Sequence, residues 1–202
     1  MNKSYYSRIL LLIVLLSLPS IGRSDFSMME YYPLPEGGTW SYRSTGENEQ
    51  TTAKVVGTDV VNGIAVIVQD DGVGNTLSLT NDANGLRLHQ IRTDLFSARV
   101  VFNPPIPMAN AQAKLGENLT LTGTADFNIP RAGSFPFTYT STARIEAQET
   151  INVPFGEFNT IRLEFTFRLT GTVNGTQIDD AVTSRVCGGV LSISINASYQ
   201  EI

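Results

Sequence analysis

The chain has 202 residues, with 14 basic and 19 acidic side chains and a formal net charge of −5 at pH 7. An acidic chain repels phosphate backbones and anionic lipids, so it does not suit nucleic acid or an anionic membrane surface as the primary partner. The single cysteine, Cys187, excludes an internal disulfide framework, so stability must come from burial and hydrogen bonding.

The first 24 residues are typical of a secretory signal peptide. Lys3 and Arg8 flank the apolar run "ILLLIVLLSLPSI", and Gly22 and Ser24 occupy the small-residue positions of a signal-peptidase site. An uncleaved membrane anchor is the alternative, but the run is short for a spanning helix of roughly 20 apolar residues. Cleavage after Ser24 removes three basic residues and no acidic ones, which changes the net charge to −8. We therefore expect a periplasmic or secreted protein.

The remaining residues, 25–202, are predicted to form one β domain with no further transmembrane segment. Turn signals recur along it, because Asn62-Gly63, Asn84-Gly85 and Asn174-Gly175 favour tight hairpins. The acidic loop "DDGVGN" (70–75) does not match the calcium-binding register and is predicted to be a turn as well.

A proline-rich stretch interrupts the β pattern, and we predict a crossing between two halves of the sheet at about 103–116. Pro104, Pro105 and Pro107 lack backbone donors and should exclude a central strand there. The following "MANAQAKL" is rich in alanine and predicts a short helix of about two turns.

The C-terminal half alternates between apolar and polar residues over unusually long stretches. From 158 to 170, Ile161, Leu163, Phe165, Phe167 and Leu169 fall on one face of a strand, and polar residues fall on the other. The stretch 135–148 repeats the pattern, with Ala143, Ile145 and Ala147 continuing its apolar face, and so do 119–127 and 191–199.

The apolar face of these strands must be covered, and little helix is predicted to cover it. It can be a filled core or can hold a ligand, and both alternatives stay open. If it holds an apolar ligand, the candidate binding residues are Phe137, Tyr139, Leu163, Phe165, Phe167 and Ile193.

The segment "VPFGE" (153–157) separates two alternating runs. Pro154 presets the backbone for a turn, and Gly156 accepts the positive φ that closes a three- to five-residue hairpin. No lysine and no helix follow as a phosphate loop requires, so we interpret Pro154 and Gly156 as a structural turn.

Together these patterns predict an all-β fold with at most one or two short helices. Long twisted strands coil, so the expected architecture is an antiparallel, strongly curved sheet or half-barrel. No catalytic residue, metal site or cofactor is predicted. His89 is the only histidine, and neither a zinc site nor a nucleophile built from His89 and Cys187 is supported by a recognisable spacing.

Four motifs in order resemble those of a family of exported, mostly uncharacterised bacterial β-proteins. They are "YYPLPEGGTWSY" (31–42), "NGLRLHQI" (84–91), "FNPPIPMANAQAKLGEN" (102–118) and the hairpin "ETINVPFGEFNTIRLEF" (149–165), where Phe155 replaces the usual alanine. The C-terminal "RVCGGVLSISI" departs from the family pattern because it contains no tryptophan. The family is similar in architecture to periplasmic half-barrel carriers that shield lipid or lipoprotein acyl chains.

That resemblance and the apolar face imply a non-enzymatic periplasmic binding or carrier module, with a lipid or another apolar molecule as the candidate ligand. The alternative is a structural or protein-interaction domain of the cell envelope with a filled core. An enzyme is the third hypothesis. The expected partners are an apolar small molecule or an envelope protein.

Overall fold

The computed structural model describes residues 25–43, 50–94, 97–153, 156–173 and 175–187. It contains one helix, α1 (Met28–Tyr31), and twelve strands. The strands are β1 (Asp25–Ser27), β2 (Thr39–Arg43), β3 (Gln50–Val61), β4 (Ile64–Asp70), β5 (Asn75–Asp82), β6 (Gly85–Thr93), β7 (Ala98–Ala109), β8 (Gln112–Lys114), β9 (Asn118–Ile129), β10 (Gly133–Val153), β11 (Gly156–Val173) and β12 (Thr176–Cys187). The predicted signal peptide lies outside the described residues. No helix in the described part of the chain is long and apolar enough to cross a membrane.

Ten strands form one antiparallel sheet in the order β12-β11-β10-β9-β7-β6-β5-β4-β3-β2. Each strand pairs with its neighbour in sequence, except that β7 pairs with β9 because β8 leaves the sheet to pair with β1. The described strands at the two ends, β2 and β12, do not pair with each other, so the sheet is not closed. The predicted all-β, antiparallel, open architecture is confirmed.

A contact between β3 and β6 shows how strongly the sheet curves. Asp59 on β3 and Arg92 on β6 are separated by two intervening strands, which corresponds to about 14 Å in a flat sheet. Their side chains nevertheless form an ion pair with an Oδ2–Nη2 distance of 2.7 Å. Because side chains stand roughly perpendicular to a sheet, this contact requires β3 and β6 to bend towards each other.

The longest strands, β10 and β11, pair over almost their whole length, as their alternation predicts. One register shift lies between Ile145 and Ala147, where Glu146 is an additional residue of β10 with no register partner on β11. The shift turns Ala147 away from the apolar face and pairs it with Arg162, so the assignment of Ala147 to the apolar face is wrong. A bulge changes the phase of the alternation. Arg162 gains ion pairs with both Glu146 (3.1 Å) and Glu149 (3.3 Å).

The proline-rich stretch 104–107 lies inside β7, and β7 lies between β6 and β9 in the sheet. The prediction that these prolines exclude a central strand is therefore wrong. The predicted helix in "MANAQAKL" is also wrong, because Met108 and Ala109 end β7 and Gln112–Lys114 form β8.

An irregularity in the pairing explains why β7 tolerates Pro104 and Pro105. β6 pairs with β7 at Val101 and again at Ile106, so that residues 102–105 of β7 lie opposite a single residue of β6. On the other side, the pairing with β9 ends at Asn103. Pro104 and Pro105 therefore lie in a bulge where neither neighbouring strand requires a backbone donor, which is the place where a sheet accepts proline.

The N-terminal segment 25–34 covers part of the apolar face of the sheet. Phe26, Met28 and Tyr32 are buried in the main core, and β1 pairs with β8. The amide nitrogen of Asn81 on β5 donates hydrogen bonds to the carbonyl oxygens of Met28 (3.0 Å) and Tyr32 (2.8 Å). A single polar side chain thus holds both ends of α1 against the sheet.

We predict that Asn81→Ala loosens this segment selectively. The variant loses two hydrogen bonds to half-buried carbonyls, which should lower the free energy of unfolding by about 1–3 kcal/mol. Hydrogen exchange of the amides in 26–32 should accelerate more than exchange in β10 and β11. Asn152→Ala, at an exposed position of β10, is the control. Equal protection of 26–32 in both variants would contradict the role assigned to Asn81.

Candidate functional site

The apolar face of β7, β10 and β11 carries a cluster of aromatic rings. Phe102 packs edge-on against Tyr139 (5.6 Å between ring centroids) and against Phe167 (5.7 Å). Phe167 in turn stacks on Tyr139 (6.0 Å) and on Phe165 (6.3 Å). Edge-to-face and stacked pairs at these distances are favourable beyond the area that they bury. The four rings therefore form a packed group that joins β7 to the adjacent pair β10 and β11 across the intervening β9.

The structure brings together most of the residues that sequence alternation assigned to the candidate apolar site. Phe137, Tyr139, Leu163, Phe165 and Phe167 all belong to the main core cluster, whereas Ile193 lies outside the described residues. Tyr139 is 0% exposed and Phe165 is 2% exposed. Their rings contact other side chains of the chain, so this part of the apolar face is filled by the protein itself.

Two glycines let the aromatic rings lie close to the sheet. Gly123 pairs with Tyr139 and Gly171 pairs with Phe137 across neighbouring strands. A Cβ atom at Gly123 would lie 2.8 Å from the Tyr139 ring, and one at Gly171 would lie 2.4 Å from the Phe137 ring. Each ring therefore covers the backbone of the glycine opposite to it. The sequence pattern did not reveal these pairs, since they depend on register.

Around the enclosed rings lies a group of apolar residues that are only partly buried. They pack against the main core from β9, β10, β11 and β12, and they are Leu119, Leu121, Phe127, Phe135, Leu169, Val173 and Ile178. Phe127 contacts Phe137 at 5.9 Å between ring centroids. The apolar face is thus closed at its centre and more open towards this margin.

Tyr139 also carries the one polar group of the aromatic cluster. Its hydroxyl donates a hydrogen bond to the carbonyl oxygen of Pro104 in the β7 bulge. Burial raises the pKa of Tyr139 to about 12, because a phenolate would lose its hydration there. The phenol therefore links β10 to the bulge in its neutral form.

We predict that Tyr139 makes stability fall at alkaline pH. The unfolded chain releases the phenolic proton near its ordinary pKa of about 10, whereas the folded protein retains the proton up to about 12. The contribution of Tyr139 to the free energy of unfolding is complete below pH 10 and is lost as the pH rises towards 12. The unfolding free energy of the parent should therefore fall more steeply over this range than that of Tyr139→Phe. Parallel pH profiles would contradict the assignment.

The predicted corner joins β10 and β11. Val153 pairs with Gly156, so two residues separate the paired positions, fewer than the three to five expected from the sequence. Pro154 lies outside the described residues. Gly156 has a φ of +139°, a conformation that residues with a side chain rarely adopt.

We predict that Gly156→Val destabilises the protein by about 1–3 kcal/mol through backbone strain. Steric crowding contributes little, because a Cβ atom at this position meets nothing closer than the Phe158 ring at 3.9 Å. Glu157→Val introduces the same side chain at the next, exposed strand position and is the matched control. Equal denaturation midpoints for the two variants would show that valine at position 156 causes no backbone strain and would contradict the prediction.

The groups considered for chemistry make structural contacts. His89 is buried, and its Nε2 lies 3.0 Å from the hydroxyl of Thr80. Burial, with the charge of Arg87, lowers the pKa of His89, which favours the neutral ring.

Asp71 uses both carboxylate oxygens within its own loop, where it accepts hydrogen bonds from the backbone of Val73 and from Asn75. Among the described residues, no three His, Cys, Asp or Glu side chains come together as metal ligands. The side chain of Cys187 lies outside this description.

A cleft of about 910 Å³, which the sequence did not predict, lies at the end of β6, β7 and the β9–β10 turn. Arg92, Arg99 and Arg131 line this cleft, which we call the arginine cleft. The three arginines come from separate elements and follow no motif spacing. The only sequence signal is "IPRAG" (129–133), where an arginine occupies a turn position that usually takes glycine.

No family model, curated protein or solved structure matches the chain. The family resemblance of the four sequence motifs therefore stays a prediction.

Proposed function

We propose that this chain is an exported, non-enzymatic β domain of the cell envelope, which acts as a structural or protein-interaction module with a filled core. The observation that supports this proposal best is the enclosure of the aromatic cluster. Phe102, Tyr139 and Phe165 are at most 2% exposed and contact rings of the same chain. Small curved sheets and barrels commonly fill their interiors in this way.

Two further observations support the proposal. The first 24 residues have the charge, apolar run and small-residue pattern of a signal peptide, which supports export. The described polar groups with potential catalytic chemistry, such as His89 and Asp71, are engaged in contacts that stabilise their own strands and loops. This supports a role in binding or structure.

A carrier of an apolar ligand is the second candidate function. The observation that favours it is the margin of partly buried apolar residues next to the aromatic cluster, which includes Phe127, Phe135 and Leu169. An apolar chain lying along this margin would complete the burial of these side chains. In that case the ligand would lie beside the aromatic cluster and would leave Phe165 in protein contacts.

We predict that Phe165→Ala and Phe167→Ala each lower the free energy of unfolding by roughly 3–5 kcal/mol, because each leaves a cavity in a filled core. Denaturation midpoints measure this loss. Phe158→Ala is the matched control, since Phe158 lies in the same strand and is 50% exposed. A loss in the core variants no larger than in the control would contradict the filled core.

Uptake of a fluorescent fatty acid by the parent protein separates the two candidate functions. The structural module should take up no fatty acid, whereas the carrier should bind it saturably and should lose binding in Phe135→Ala.

Native mass spectrometry of protein purified from the exported fraction tests whether the chain is exported. A polypeptide that begins at residue 25 supports export, and a full-length cytoplasmic polypeptide contradicts it.

A further inference from the structure

The arginine cleft carries more basic than acidic side chains, because Arg92, Arg99 and Arg131 line it together with one carboxylate, that of Asp94. Arg92 on β6 and Arg99 on β7 are direct partners across the two strands, and like charges in that position repel each other. Asp59 forms an ion pair with Arg92 at 2.7 Å. Within the described part of the chain, Arg99 and Arg131 have no ion-pair partner. Two guanidinium groups therefore line one open cleft without a paired carboxylate.

A buried polar chain fixes the position of Arg99. Its Nε donates a hydrogen bond to Oε1 of Gln90 at 2.5 Å, and Nε2 of Gln90 donates to the hydroxyl of Ser78 at 3.3 Å. Gln90 is 1% exposed and Ser78 is 2% exposed. A hydrogen bond through Nε fixes the orientation of the guanidinium plane. The two terminal nitrogens, Nη1 and Nη2, are then available to donate hydrogen bonds to another group. The hydrogen bond to buried Gln90 restricts the Arg99 side chain, as is common for a residue that binds a ligand.

Arg131 occupies a constrained position at the mouth of the cleft. The amide of Ala132 donates to the carbonyl of Ile129 at 3.1 Å, which closes a turn with Pro130 and Arg131 at its centre. Arg131 has a φ of +71°, where glycine or asparagine would be preferred. The chain thus places a long cation at a position that disfavours it, beside a cleft already lined by two arginines.

We propose that the arginine cleft binds a phosphate-bearing small molecule, with the phosphate group engaged by Arg99 and Arg131. Planar guanidinium groups bind phosphate oxygens through paired, charge-assisted hydrogen bonds. A phosphomonoester carries a charge of about −1.5 to −2 at neutral pH, which is opposite in sign to the excess of arginines over the single Asp94 carboxylate in the cleft lining. The volume of about 910 Å³ leaves room in this open cleft for a molecule larger than a phosphate ion.

The same chemistry is offered by a free phosphate ester and by a phospholipid headgroup. The net charge of the chain is negative, so binding has to come from this local cluster of cations. The proposal does not depend on whether the apolar core is filled, because none of the three arginines belongs to the main core cluster.

Calorimetric titration of the full chain with glycerol 3-phosphate, and with inorganic phosphate in parallel, tests the proposal. We expect saturable binding of the ester, weakened about tenfold or more in Arg99→Gln and in Arg131→Gly, because each variant removes a charge-assisted contact. Arg131→Gly should fold, since glycine accepts the φ of Arg131 without strain. Arg144→Gln removes one charge from an exposed position of β10 outside the cleft and should bind like the parent.

Vesicles distinguish the two sources of phosphate. Sedimentation with phosphatidylglycerol vesicles that depends on Arg99 and Arg131, compared with phosphatidylcholine vesicles, identifies a lipid headgroup. Binding of glycerol 3-phosphate with the same dependence identifies a free ester. Absence of saturable binding to both probes, or an equal loss in Arg144→Gln, would overturn the proposal. Either result leaves the stability test of Phe165 and Phe167 unaffected.

Discussion

Burial of one apolar face, in a sheet that has almost no helix to cover it, governs the rest of this structure. The described chain offers a single four-residue helix and twelve strands. The sheet therefore curves, its longest strands pack aromatic rings against β7, and the segment 25–34 closes part of the remaining surface. The same need to bury aromatic rings explains Gly123 and Gly171. Large rings can lie flat on the sheet only where the opposing residue has no side chain.

Much of the fold could be predicted from the alternation of residues along the chain. Strands β10 and β11 are long enough for their period of two to be unmistakable, and the positive φ of Gly156 agrees with the corner predicted between them. The residues at the centre of the core follow from the same pattern. Alternation says nothing about register, however, so neither the displacement of Ala147 nor the pairing of glycines with aromatic rings could be foreseen.

The remaining errors share a physical cause, which is that contacts between distant residues override local preference. Proline is excluded from a strand only where a neighbour requires its amide, and the bulge in β7 removes that requirement at Pro104 and Pro105. Alanine-rich residues near 110 have helical propensity, but pairing of β8 with β1 determines their conformation. The arginine cleft is invisible in the sequence for the same reason, since its cations meet only after the sheet has formed.

The attachment of α1 through Asn81 has a consequence for how the chain assembles. Hairpins of the large sheet join strands that follow each other along the chain, whereas Asn81 and Met28 are 53 residues apart. The entropic cost of closing a loop grows with its length, and the N-terminal segment docks on a surface that β5 and β8 must first provide. The final contacts of this segment therefore require β5 and β8, which both follow it along the chain. Until this segment is docked, the rings of Phe26 and Tyr32 and the sheet surface beneath them are open to solvent.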